Sequence, residues 1–279
     1  MLPENFVTVE GGKLRKQAKG KAAEAASAEP PYDLAADLEA HKSDLTAKVG
    51  KKTKFEVVDE VFLIAAASGQ MNESAAVTKL ALQAYFNGRF TTKPKKAVAV
   101  LLFDTAPPYE SFCQAEWNHA CITPFGVYEP EIRTVVMNAG PGIGTLTHEL
   151  VHPLVEADFP DAPAWINEGI ASLYEAFSFP KPGEIRGWKN WRHPGLLKAL
   201  KSKADRPWAS LPNLFAMDDE IFRGPREGLN YAIARYFCQW MESQGKLWDF
   251  YHQWRDHYAT DKTGEKAFAL VMKKTPTEL

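Results

Sequence analysis

Thr147-His148-Glu149-Leu150-Val151-His152 carries two histidines four residues apart with a glutamate directly after the first. On an α-helix that spacing puts both imidazoles on one face about a turn apart. They can then reach a single tetrahedral ion while the glutamate addresses a water beside it. Leu146, Leu150 and Leu154, with Val151 and Val155, supply an opposite, apolar face suited to burial. The pattern is that of a zinc-binding helix whose Glu149 serves as general base. Pro153 follows His152 directly, lacks an N–H and biases its predecessor away from helical geometry, so the helix is expected to kink or end there.

A catalytic zinc takes three protein ligands and keeps one open position. The next informative stretch, Trp165-Ile166-Asn167-Glu168-Gly169-Ile170-Ala171-Ser172, offers Glu168 as the third. It lies on a second predicted helix, Pro163 to Phe177, with Ile166, Ile170, Leu173 and Phe177 as buried stripe, Asp161 as N-cap and Pro163 in the first turn. Gly169 costs that helix about 1 kcal/mol relative to alanine, and close approach to the metal-bearing helix is the expected reason. Glu156 is a poorer candidate ligand, because three residues of one helix rarely surround a tetrahedral ion.

Outward from these helices the chain changes character. Of 279 residues, 45% are hydrophobic and 24% charged, which excludes a wholly disordered chain. Lys+Arg number 33 against Asp+Glu 35, so no overall basic field points to nucleic acid. No apolar run approaches the roughly 20 residues of a membrane-spanning helix. The first residues show no apolar stretch with a small-residue cleavage site, so a cytoplasmic location is the default expectation, or export if the chain is a trimmed precursor. The 3 cysteines exclude a disulfide scaffold, leaving one bridge, Cys113 to Cys121, open.

Residues 1–31, poor in large apolar side chains, read as a flexible tail. Residues 32–144 read as a sheet-bearing lobe: a helix over Tyr32–Val49, a strand over Lys54–Ala67, a helix over Asn72–Phe90, a buried strand over Ala97–Phe103, a helix from Pro107 to Trp117, and a hairpin about Pro130 with Arg133–Met137 as its second strand. Residues 145–279 read as helical, with segments at Thr145–Val155, Pro163–Phe177, Gly195–Lys203, Leu229–Ser243, Trp248–Tyr258 and Gly264–Met272, and no convincing strand. The two lobes are read as one catalytic unit of α+β class: a small mixed sheet, then helices, with the metal between them.

The pair THELVH and WINEGIAS resembles the gluzincin branch of zinc metallopeptidases, in its peptidase MA-like group, where HExxH is followed by a W-L-N-E-G-x-A pattern. The similarity spans roughly residues 95 to 275. It implies a zincin-like fold, zinc held by His148, His152 and Glu168, Glu149 as base, and a tyrosine from a later helix as oxyanion donor, for which Tyr231 in GLNYAIARYF is the matching position. Ser172 stands where thermolysin-like relatives place an aspartate that orients a metal-binding histidine. The glycine-rich recognition strand of the aminopeptidases is absent; RTVVMNAGPGIG stands ahead of the metal helix.

The expected activity is zinc-dependent hydrolysis of a peptide or protein substrate, with Arg133–Met137 as the sheet edge on which an extended peptide adds. The alternatives are an inactive peptidase-like protein that binds a polypeptide partner, and hydrolysis of a non-peptide bond at the same site. Trp188 and Trp191 either line the cleft or pack a loop; His252 and His257 read as aromatic packing. Substrate sequence, endo or exo cleavage and oligomeric state are not legible.

Overall fold

The computed structural model describes residues 8–10, 13–15, 32–69, 71, 73–140 and 142–279. Within it the stretch expected as one strand, Lys54–Ala67, is a hairpin: β3 (Lys54–Val58) and β4 (Phe62–Ala66) pair antiparallel. The reversal is a three-residue loop, Asp59–Val61, in which Asp59 and Glu60 take left-handed φ values of 53° and 69°. Contacts divide the chain into two units, Met1–Asp33 and Leu34–Leu279. In the first, β1 (Thr8–Glu10) and β2 (Lys13–Arg15) form a short antiparallel ladder; the rest of the expected tail lies outside the described residues.

The larger unit is mixed α and β. After α1 (Leu34–Val49) and the β3–β4 hairpin come α2 (Glu73–Tyr85), β5 (Val98–Phe103), α3 (Ala106–Trp117), β6 (Gly126–Glu129) and β7 (Thr134–Asn138). The sheet order is β3-β4-β5-β7-β6, parallel at β4–β5 and β5–β7 and antiparallel at both margins. Strand β5 is buried throughout, as its uninterrupted apolar run requires. Its alternate residues serve two cores: Val98, Val100 and Leu102 face the main one, while Ala99, Leu101 and Phe103 face a smaller one with Leu45 of α1 and Phe112 of α3. Cys113 of α3 is disulfide-bonded to Cys121 in the loop before β6.

The expectation for the sheet edge is corrected. Strand β7, which contains most of Arg133–Met137, lies between β5 and β6, so β6 is the edge. A hairpin's second strand goes inside when its own apolar run seeks two buried faces, and every residue of β7 is buried.

The second half is helical: α4 (Gly144–Glu149), α5 (Val151–Asp158), α6 (Ala164–Leu173), α7 (His193–Lys201), α8 (Leu211–Ala216), α9 (Asp219–Phe222), α10 (Glu227–Ser243), α11 (Leu247–His257) and α12 (Glu265–Met272). Against expectation it also holds two short strands, β8 (Phe177–Ser178) and β9 (Arg186–Gly187), paired antiparallel, so Phe177 belongs to a strand and not to the helix of Glu168. Trp165 of α6 anchors the helices in an aromatic cluster with Phe215, Phe237 and Trp254, each such burial stabilising by about 1.5–3 kcal/mol or more. No helix among the described residues is long and apolar enough to cross a membrane.

Candidate active site

His148 and Glu149 end α4, and His152 lies in the first turn of α5. Pro153 has no N–H to give the carbonyl of Glu149, one helical turn earlier, so the ladder is interrupted there and not beyond the proline. The path nevertheless stays helical. Leu150 has φ −65° and ψ −22°, and its N–H bonds to Leu146 at 3.0 Å. The two imidazoles therefore remain neighbours, with ring centres 5.0 Å apart.

Glu168, on α6, completes the group. One ligand atom from each of His148, His152 and Glu168 lies within 4.8 Å of the others. Nε2 of His148 is 3.3 Å from Oε2 of Glu168. Glu149 stands beside them, its Oε2 3.7 Å from Nε2 of His152 and accepting from the Tyr128 N–H of β6 at 3.0 Å. Glu156 turns away to accept from the Tyr128 hydroxyl at 2.8 Å.

The nitrogens facing away from the group lie near other polar side chains. Nδ1 of His152 meets Oδ1 of Asn167 at 2.9 Å; with Nδ1 as donor, Nε2 is left bare toward the cluster. Oε1 of Glu175 lies 3.5 Å from Nδ1 of His148, and Glu175 is itself gripped by Arg192 at 3.0 and 3.2 Å and by Asn190 at 2.6 Å. The Ser172 hydroxyl is buried without a hydrogen-bond partner, and the carboxylate near Nδ1 of His148 is that of Glu175. Glu175 lies just past the end of α6, in the turn that follows its C-cap, so helical spacing did not mark it.

Two further expectations are corrected. The N-cap of α6 is Pro163, not Asp161, and the Ala164 N–H is satisfied from α9 by Asp219 at 2.9 Å. Gly169 is indeed a place of close approach, but the neighbour is α10: a Cβ there would lie 3.0 Å from Sγ of Cys238 and 3.1 Å from the Ala234 carbonyl oxygen.

The electrostatics couple His148 to the acidic side chains around it. Burial alone would depress His148, but the carboxylates of Glu168, Glu175 and Glu149 beside it push it up to about 10. Burial works to raise the Glu168 carboxyl; the close approach of His148 and the charges of His152 and Arg223 override it and hold it well below the usual carboxylate range. Oε2 of Glu168 and Nδ1 of His148 are buried without a formed hydrogen bond. A buried carboxylate oxygen without a formed hydrogen bond, beside two imidazoles, fits a metal cradle in which a bound ion would take the place of the proton on His148. Two imidazoles and one carboxylate suit an ion such as zinc.

Tyr231, on α10, reaches the same place. Its hydroxyl accepts from Nη1 of Arg223 at 3.4 Å, and Nη2 of Arg223 donates to Oε1 of Glu168 at 2.9 Å. Burial and the charge of Glu168 raise the phenol well above its ordinary value, with Arg223 pulling the other way, so it is a neutral donor at pH 7. A cleft of about 1150 Å³ opens over the group, with Tyr128, Tyr231, Arg223 and the exposed Trp191 in its walls. Trp188 stands apart from this wall and donates to the Ser178 hydroxyl at 2.8 Å. His252 packs against Trp248 and meets the Arg89 carbonyl, and His257 meets that of Gln253. Arg192 and Arg223 carried no local signal, since their partners lie 17 and 55 residues away in the chain. Comparison of the chain with protein-family models and with curated proteins finds no match.

Proposed function

We propose that the protein is a zinc-dependent peptide hydrolase of gluzincin type with a zincin-like fold. The observation that carries the proposal is the meeting of His148, His152 and Glu168 with Glu149 beside them and Tyr231 opposite, in an open cleft. His148, His152 and Glu168 would hold the metal. Bound there, zinc supplies Lewis-acid chemistry, polarising a carbonyl oxygen and acidifying a water.

The chain's own residues do the rest. Glu149 takes the proton of the attacking water and returns it to the amine nitrogen as the C–N bond breaks, so protons balance over the cycle. The Tyr128 N–H holds Oε2 of Glu149, the oxygen nearest the metal-ligand group, in place for that transfer. Tyr231 donates its phenolic hydrogen to the oxygen on which negative charge develops. Asn167 and Glu175 keep the two imidazoles turned with Nε2 inward.

The test is elemental analysis of the purified protein together with cleavage of a mixed peptide library, wild type beside Glu168→Ala and Glu149→Gln. About one zinc per chain, lost in Glu168→Ala, is expected. Glu149→Gln keeps the metal and loses roughly 10²- to 10⁴-fold in rate. Full activity in Glu149→Gln, or no zinc uptake at neutral pH, overturns the assignment; zinc without any turnover returns the reading to a peptidase-like binding protein.

A further inference from the structure

Arg223 has no part in the hydrolytic steps above, yet the fold takes care to place it. It follows α9 directly, and that short helix is fastened to the two helices that bear Glu168 and Tyr231. Fully buried Asn230 of α10 donates to the carbonyl oxygens of Ile221 and Phe222 at 3.0 Å each, and Asp219 accepts from the first residue of α6. The guanidinium is thereby held against Oε1 of Glu168 and the Tyr231 hydroxyl, with 53% of the side chain exposed in the cleft.

Guanidinium offers five donors in a fixed fork. On Arg223 these two contacts leave the remaining donors without a partner among the described residues. The neighbouring cation is in a different state: Arg192 lies 4.9 Å over the Tyr231 ring, but its fork is spent on both oxygens of Glu175. Glu227, also in the cleft wall, forms no ion pair with Arg223, whose one carboxylate is Glu168. Once Glu168 shares its charge with a metal ion, the charge of Arg223 is left under-balanced beside the reacting bond. The anion whose geometry matches a guanidinium fork is a carboxylate.

We infer that Arg223 receives a carboxylate of the substrate, so that the cleft selects peptides presenting a free carboxylate close to the scissile bond. The inference rests on the peptide-hydrolase reading of the site. The carboxylate can be the chain terminus or an acidic side chain, and the test separates the two.

The full-length protein, supplied with zinc, is titrated calorimetrically with three probes: N-acetyl-trialanine, its C-terminal amide, and the amide of N-acetyl-Ala-Asp-Ala. Arg223→Gln and Arg223→Lys are titrated alongside, with turnover of the same probes followed separately. At least one of the two carboxylate probes is expected to bind about tenfold to hundredfold more tightly than the trialanine amide, and the tighter one names the source. The preference, read as the ratio of carboxylate to amide affinity within each protein, collapses in Arg223→Gln and recovers in part in Arg223→Lys. Equal affinity for all three probes, binding of none, or a preference that survives Arg223→Gln overturns the inference; the comparison of probes on the wild type needs no variant to fold. Turnover without a carboxylate preference sinks the inference and spares the hydrolase, whereas the preference without turnover does the reverse.

Discussion

Gly169→Ala puts the packing of the site to a numerical test. In an open helix the change stabilises by about 1 kcal/mol, because alanine has less backbone freedom to lose. At this position the added methyl would sit 3.0 Å from Sγ of Cys238, 3.1 Å from the Ala234 oxygen and 3.2 Å from its carbonyl carbon. Ordinary carbon contacts are about 3.5–4.0 Å, so α6 and α10 must part by several tenths of an ångström. Two of the three obstacles are backbone and cannot rotate away. Overpacking of this kind costs roughly 1–3 kcal/mol, which leaves a net loss between about 0 and 2 kcal/mol. That lowers the melting temperature by roughly 2–4 °C per kcal/mol for a chain of this size. Because Glu168 precedes Gly169 on α6 and Tyr231 precedes Ala234 on α10, the same parting also loosens the site, and zinc affinity should fall with stability. The control is Gly195→Ala in α7, where a Cβ meets nothing within 4 Å and the same substitution should stabilise. Urea unfolding of the two variants gives opposite signs if the reasoning holds. Stabilisation by Gly169→Ala equal to that by Gly195→Ala would refute the close approach of α6 and α10.

Three further outcomes follow from the geometry. Glu175→Gln removes the negative charge behind His148 and should weaken zinc binding about 10- to 100-fold in competition with a chelator; unchanged affinity would deny Glu175 its orienting role. Tyr231→Phe should lower kcat about 10²- to 10³-fold with little change in KM, since the hydroxyl matters only as charge develops; a loss confined to KM would place the tyrosine in substrate binding instead. Asp158, its carboxylate wholly buried, accepts from the Thr91 and Thr92 N–H groups and pairs with Arg255 at 2.7 Å; burial opposes ionisation, but these partners outweigh it and depress the carboxyl. Its stabilisation is therefore complete above the unfolded value near ~3.9 and is lost as pH falls through the lower folded value, so Asp158→Asn should cost about 3 kcal/mol or more at neutral pH and flatten the acid limb of the stability curve, which an unaltered limb would contradict.

The site was legible wherever its geometry is local. His148, Glu149 and His152 are related by helical periodicity, and Glu168 stands beside a glycine whose cost demanded a reason, so a short window carries them all. The reason itself was not legible: that Gly169 meets α10 depends on how a segment some 65 residues later folds back. Asp59-Glu60 broke the apolar run visibly, but whether a charged pair bends a strand or ends it is decided by the pairing of β3 with β4. Strand β6 and strand β7 could be read as a hairpin, yet which of them lies at the margin is set by the parallel register of β7 on β5, a contact across more than 30 residues.

That last point changes how a substrate can be read. An extended peptide adds to a sheet by exchanging main-chain bonds with alternate residues of the edge strand, and on β6 the outward pair is Gly126 and Tyr128. Both backbone groups of Gly126 are engaged by the Thr123 hydroxyl, at 2.6 and 3.1 Å, and the Tyr128 N–H is engaged by Glu149 at 3.0 Å. The next outward position is Pro130, which has no N–H to offer. Only the Tyr128 carbonyl is left for a peptide, so the edge strand serves mainly to hold Glu149 and would contribute little register to a bound chain. If the cleft takes peptides as proposed, discrimination between them would have to come from side chains elsewhere in its wall, and the arginine among them that is not bidentate on a carboxylate is Arg223.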